Sequence, residues 1–168
     1  MFFDFHLTLL LFKGYNMANN LALKAGRPLI VHDVVESTLD KFKDANKDVQ
    51  VASTPAELAD RVGTIITMLP ASPHVKEVYF GTDGVMQGLA KDTMVIDSST
   101  IDALVAKELA SAIVEKGAMA LDAPVSGGEF LYFLGHKPFF HFISFHFIFL
   151  DIFFFFLACC SLLLYVAT

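Results

Sequence analysis

Four clusters of small and polar residues close apolar runs along this chain, and each is of a type that can hold a ligand. They read HD (His32, Asp33), MLP (Met68 to Pro70), DSST (Asp97 to Thr100) and DAPVSGG (Asp122 to Gly128). A carboxylate such as Asp33 can accept hydrogen bonds from a pair of neighbouring hydroxyls. Ser126, Gly127 and Gly128 combine a small hydroxyl side chain with accessible backbone N–H groups, which suits a carboxylate or another anion. Gly14 opens a stretch with helical spacing, and the free N–H groups of a helix N-terminus also attract negative charge.

Asp33 follows Gly14 by 19 residues. That is close to the spacing at which an acidic residue grips the ribose hydroxyls of NAD after a glycine loop and its helix. The same carboxylate repels a 2′-phosphate, which disfavours NADP. A competing assignment for Asp33 is that it caps the next helix or faces water. Leu69 and Pro70 can equally be a turn that ends a strand, since Pro cannot extend a sheet. Thr100 can equally be the N-cap of the helix that starts near Asp102.

The elements that must position these clusters alternate. NMANNLALKAG has helical spacing and ends on Gly26, a suitable C-cap. PLIVHDVV, VQVAS, TIITMLP, TMVIDSS and AMALDAPV read as strands. ESTLDKFKDAN, TPAELADRV, SPHVKEVYF and IDALVAKELASAIVEKG read as helices between them, with Thr54 as a cap and Pro55 at the first helical position. Alternating strands and helices predict an α/β fold, Rossmann-like, with a parallel sheet and helices on both faces. In such sheets ligands bind beyond the carboxyl ends of the strands, where the four clusters fall.

The chain has 168 residues and a net charge of -6, without a basic stripe, so nucleic acid is not expected as a partner. Cys159 and Cys160 are adjacent in an apolar run, and no Cys/His spacing suits a metal, so neither a disulfide framework nor a metal site is expected. Composition divides the chain into three. Residues 14–128 have the make-up of an ordinary α/β domain, residues 1–13 are an atypical apolar N-terminus, and residues 129–168 form a Phe-rich apolar tail. Within that tail, residues 147–167 are long enough to span a bilayer, although Asp151 lies inside the run. The other reading of the tail is a segment not shaped by selection for structure, because it lacks strand period, helix period and caps.

The stretches GYNMANNLALKAG, VHDVV, TIITMLPAS, and VIDSSTID followed by LDAPVSGG resemble the β-hydroxyacid dehydrogenase family, in particular its 3-hydroxyisobutyrate dehydrogenases. The resemblance covers about residues 14 to 128. It implies a dinucleotide-binding domain in which Gly14, Asp33, Leu69, Pro70, His74 and Thr100 hold NAD, with Ser126, Gly127 and Gly128 on the carboxylate of a 3-hydroxy acid. The implied reaction is oxidation of 3-hydroxyisobutyrate to methylmalonate semialdehyde in valine catabolism, and the implied location is the mitochondrion, although no targeting signal is visible. Two departures matter. The family's loop is G-x-G-x-x-G, and its first two glycines fall on Leu9 and Leu11, so the first strand and glycine loop are altered. The family's general acid/base is a lysine in a second, helical domain, and nothing in residues 129–168 matches it, so no catalytic residue is assigned. The expectation is an NAD-binding domain without turnover of its own, the alternative being a membrane-attached or non-catalytic nucleotide-binding remnant. Oligomeric state is left open by the sequence.

Overall fold

The computed structural model describes residues 7–10, 14–24 and 29–125, and side chains are described for 14–23 and 29–125. The first of two compact units ends at Val125, and all that follows concerns that unit. The tail, Ser126, Gly127, Gly128 and the run 147–167 lie outside the described residues.

The described elements are β1 (Leu7–Leu10), α1 (Tyr15–Lys24), β2 (Leu29–His32), α2 (Glu36–Ala45), β3 (Val49–Val51), α3 (Pro55–Asp60), β4 (Thr64–Thr67), α4 (Ser72–Phe80), α5 (Val85–Gly88), β5 (Met94–Asp97), α6 (Ala103–Glu115) and β6 (Met119–Asp122), all but β1 and α5 expected from the sequence. The six strands form one parallel sheet in the order β3-β2-β1-β4-β5-β6. Strand order therefore reverses at β1, with β2 on one side and β4 on the other, the Rossmann arrangement.

Two cores explain why this sequence adopts that sheet. Side chains alternate across a strand, so a strand buried on both faces needs apolar residues throughout. Leu29, Val31, Ile66 and Ile96 join Ala18, Leu39 and Phe42 in one cluster beneath α1 and α2. Ile30, Ile65 and Val95 point the other way, into a cluster with Leu58, Val75, Tyr79, Leu109 and Ile113 from the remaining helices. On the first face, the rings of Tyr15 and Phe42 meet edge to face at 5.4 Å, which locks α1 against α2.

Local signals end the elements. Thr54 Oγ1 accepts the Glu57 N–H at 3.1 Å while Glu57 takes the Ser53 N–H at 2.7 Å, a reciprocal box that starts α3. Gly117, at φ +80°, makes the left-handed turn between α6 and β6. Two departures from the sequence reading are informative. The strand expected over PLIVHDVV stops at His32, because the Asp33 carboxylate captures the Val35 N–H at 2.8 Å and turns the chain into α2. The short helix α5 was not anticipated; its four residues are too few to show helical periodicity. Among the described residues, no helix is long and apolar enough to cross a membrane.

Candidate functional site

All the strands run parallel, so their C-terminal ends gather His32–Asp33, Thr67–Pro70, Asp97–Thr100 and Asp122–Val125 on one edge of the sheet. The first turn of α1, from Gly14, lies at the same edge, at the point where strand order reverses. Gly14 is buried and its carbonyl accepts the Ala18 N–H at 2.8 Å, the first bond of α1.

Asp33 closes β2 beside that turn and is only 6 % exposed. One carboxylate oxygen is engaged by Val35 N; the other has no partner among the described residues. Asp33 thus serves the entry to α2 and still offers an acceptor. His32, just before it, is buried and donates from Nδ1 to the Ala52 carbonyl at 3.0 Å, which ties β2 to the segment after β3.

Across the switch point, the end of β4 is held by a buried chain of hydrogen bonds. The Leu69 N–H donates to Ser99 Oγ at 2.8 Å, and Ser99 Oγ donates to Asp97 Oδ1 at 2.6 Å. Thr67 Oγ1 donates to the same Asp97 oxygen at 2.7 Å, so its single proton is committed and Tyr79 must donate to it across 2.8 Å. Burial pushes the Asp97 carboxyl above its ordinary value, although the hydrogen bonds from Ser99 and Thr67 pull the other way. Burial, and then the charge of Asp97, push the Tyr79 phenol well above its own. Asp97 Oδ2 is buried without a hydrogen-bond partner among the described residues, at a recess of about 20 Å³ that Asp122 also lines.

Of the residues proposed from sequence, Leu69 and Pro70 are joined to the DSST segment by the Leu69–Ser99 bond. Thr100 is exposed, and its hydroxyl donates to the Val125 carbonyl at 3.2 Å. It is not the N-cap of α6: Asp102 holds that place, accepting the Leu104 N–H at 2.8 Å. His74 is exposed in the first turn of α4, with its N–H on the Ala71 carbonyl at 3.0 Å. Sequence reasoning singled out the DSST cluster yet drew only Thr100 from it. Asp97, Ser99, Thr67 and Tyr79 went unassigned, because a hydrogen-bonded chain across β4, α4 and β5 has no spacing in sequence.

The altered loop is visible in the sheet. β1 runs through Leu9 and Leu10, paired with Val31 and His32 on one side and Ile66 and Thr67 on the other. The position of the first family glycine is therefore inside a strand. The donor set nevertheless fits a dinucleotide in two respects: an unshared acceptor of Asp33 at the end of β2, and a helix N-terminus at the switch point. Among the described residues there is no group of three or more side chains that could hold a metal ion.

Comparison with known proteins agrees with this geometry. Residues 12–132 match the family model described as the NAD binding domain of 6-phosphogluconate dehydrogenase. The mitochondrial 3-hydroxyisobutyrate dehydrogenase of Mus musculus is 50% identical over 115 residues, covering 68% of this chain and 33% of that protein. The NAD-dependent L-serine dehydrogenase of Pseudomonas aeruginosa is 40% identical over 115 residues, covering 68% of this chain and 38% of that protein. Among solved structures, the Mycobacterium tuberculosis 3-hydroxyisobutyrate dehydrogenase with L-serine superposes with a TM-score of 0.65 at 29% identity, covering 76% of this chain and 42% of that one. The chain thus spans about a third of the length of the curated relatives it matches. With a matching family model over most of its residues, a sheet that reverses at β1 and an acidic residue closing β2, this chain belongs to the NAD-binding domain family of the 6-phosphogluconate dehydrogenase type, with 3-hydroxyisobutyrate dehydrogenases among its relatives.

Proposed function

We propose that residues 14–128 bind a nicotinamide dinucleotide across the carboxyl edge of the sheet, as the cofactor half of a 3-hydroxy acid dehydrogenase. The observation that carries this reading is Asp33, nearly buried at the end of β2 with one oxygen uncommitted among the described residues. That oxygen would take the ribose hydroxyls, Gly14 and the start of α1 would face the pyrophosphate, and Leu69, Pro70, His74 and Thr100 would line the way toward the nicotinamide. The bound cofactor would supply a hydride acceptor. A carboxylate at the ribose favours NAD over NADP.

Ser126, Gly127 and Gly128 are proposed to meet the substrate carboxylate. The substrate class is a 3-hydroxy acid; 3-hydroxyisobutyrate and L-serine, which the names of the relatives mention, both belong to it. Oxidation of the hydroxyl also needs a base for its proton, and no residue of 1–168 matches the lysine that serves the family. We therefore propose that residues 1–168 by themselves do not turn over 3-hydroxyisobutyrate. The names of several relatives place them in mitochondria, and the same location is proposed for this chain.

The test is an NADH titration of the purified chain followed by cofactor fluorescence, beside a version carrying Leu9→Gly and Leu11→Gly. Binding at micromolar Kd, about -8 kcal/mol, supports the reading; binding by neither version refutes it. Appearance of NADH from 3-hydroxyisobutyrate and NAD would refute the absence of turnover. A second reading rests on the apolar run 147–167, which is long enough to span a bilayer. Retention in membranes after alkaline extraction would support it, and release would refute it.

A further inference from the structure

Asp97 is nearly buried at the end of β5, yet its side chain gathers three hydrogen bonds. It is 4 % exposed, and its Oδ1 accepts from Thr67 Oγ1 at 2.7 Å, Ser99 Oγ at 2.6 Å and Ser99 N at 3.1 Å. Its backbone carbonyl accepts the Ala123 N–H at 2.8 Å, just beyond β6. The next residue, Ser98, donates its N–H to the Thr67 carbonyl at 2.7 Å. One residue therefore touches the ends of three neighbouring strands, β4, β5 and β6.

Ser99 is the lever. It is 0 % exposed, and its hydroxyl has a single proton, which goes to Asp97. With that proton committed, the lone pairs of Ser99 Oγ are aimed by Asp97, and one of them receives the Leu69 N–H. Leu69 sits two residues past the end of β4, where no ladder partner can hold its N–H. An unsatisfied buried N–H would be costly, so the side chain of Ser99 sets where the Leu69–Pro70 backbone runs.

We propose that Asp97 is a positioning residue: through Ser99 it holds the Leu69–Pro70 edge in the course that the dinucleotide site needs. The proposal rests on the binding reading above for the purpose of that edge, but not for the mechanical link itself. A carboxylate is suited to the role because one oxygen can accept three hydrogen bonds at once and cannot rotate a donor into the wrong place. An asparagine in the same pose keeps an acceptor oxygen on Thr67 and Ser99, so it should preserve the link. Alanine removes it.

The test compares Asp97→Ala, Asp97→Asn and Ser99→Ala in the full chain, with the amide of Leu69 as reporter by NMR hydrogen exchange. In Asp97→Ala and Ser99→Ala, Leu69 exchange should rise at least tenfold relative to the amides of Thr64–Thr67 in the same chain; in Asp97→Asn it should stay near wild type. The two disrupting variants should also weaken NADH binding at least fivefold. A general loss of stability would speed all these amides together and would overturn the proposal, as would an unchanged Leu69 in Ser99→Ala. If Asp97→Ala does not fold, Ser99→Ala and Asp97→Asn decide the matter between them. Absence of NADH binding by the wild-type chain, with the exchange pattern as expected, refutes the binding reading and leaves the positioning link supported.

Discussion

Asp97 and Asp122 are register partners on adjacent parallel strands, so their carboxyls leave the sheet on the same side, at the recess beneath α6. Two acids so placed cannot both ionise without cost. Burial raises Asp97; partial desolvation, and then the charge of Asp97, raise Asp122. Both groups hold their protons more tightly in the folded chain than in the unfolded one.

The sign of the pH dependence follows. A carboxyl whose folded pKa is raised contributes stability that is fully present below its unfolded value, about 3.9 for Asp. That contribution is lost as pH rises through the folded value. Urea unfolding of the wild type should show stability falling above pH 4, by at most about 1.4 kcal/mol per pH unit for one proton. Asp97→Asn should flatten that part of the curve. A wild type and a variant with parallel pH profiles would contradict the raised value.

Asp33→Asn separates two duties of one side chain. The amide oxygen can still take the Val35 N–H, so the entry to α2 should survive with little change in thermal midpoint. The charge that favours ribose hydroxyls and repels a 2′-phosphate is gone. NADH affinity should fall roughly tenfold, the weight of a charge-assisted hydrogen bond, while discrimination against NADPH narrows. Parallel titrations with both cofactors read this directly, and an unchanged preference would take the ribose role away from Asp33.

Thr67→Val keeps the shape of a 0 % exposed side chain and removes its hydroxyl. Tyr79 then loses its acceptor and Asp97 one of its donors. The expected loss is about 1–3 kcal/mol of unfolding free energy. Tyr79→Phe, which removes the outer end of the chain, should cost less, and the two together should cost less than their sum because they break the same network. Denaturant midpoints of the four proteins close the cycle; strict additivity would mean that the hydroxyls act independently.

Gly88 ends α5 where it crosses α3, and a Cβ there would overlap the backbone carbonyl of Ala56. No side-chain rotation can relieve a clash with backbone. Gly88→Ala should therefore destabilise by about 1–3 kcal/mol, visible as a lowered thermal midpoint, although alanine is the better helix former. A midpoint equal to wild type would mean that α5 shifts freely on α3.

How much of this was legible beforehand depended on the physics behind each signal. Thr54 with Pro55 marked the start of α3, because capping is decided within a few residues. TIITMLP read as a strand, and the four residues that form it, TIIT, are all buried. Asp33 was expected at the end of the second strand, with capping of the next helix as the alternative to a ligand role; its bond from Val35 N serves the helix entry and leaves the two compatible, since one carboxylate can do both. β1 was hidden: LTLL sits in an apolar N-terminus whose composition resembles no domain, and only its two partners reveal it as a strand. The chain from Tyr79 to Leu69 was hidden for a different reason. It joins residues up to 30 apart in sequence, which meet only once the sheet has formed.

The placement of β1 has a consequence for how the molecule comes apart. β2 and β3 are hydrogen-bonded to β4, β5 and β6 only through those four residues, Leu7–Leu10. Both of their partners, Leu29–His32 and Thr64–Thr67, follow them in the chain. A slip of β1 would not fray an edge; it would unzip the sheet along its middle, leaving a two-strand piece and a three-strand piece. Those four residues are therefore the keystone of the sheet, and their loss should do more harm than loss of any surface helix.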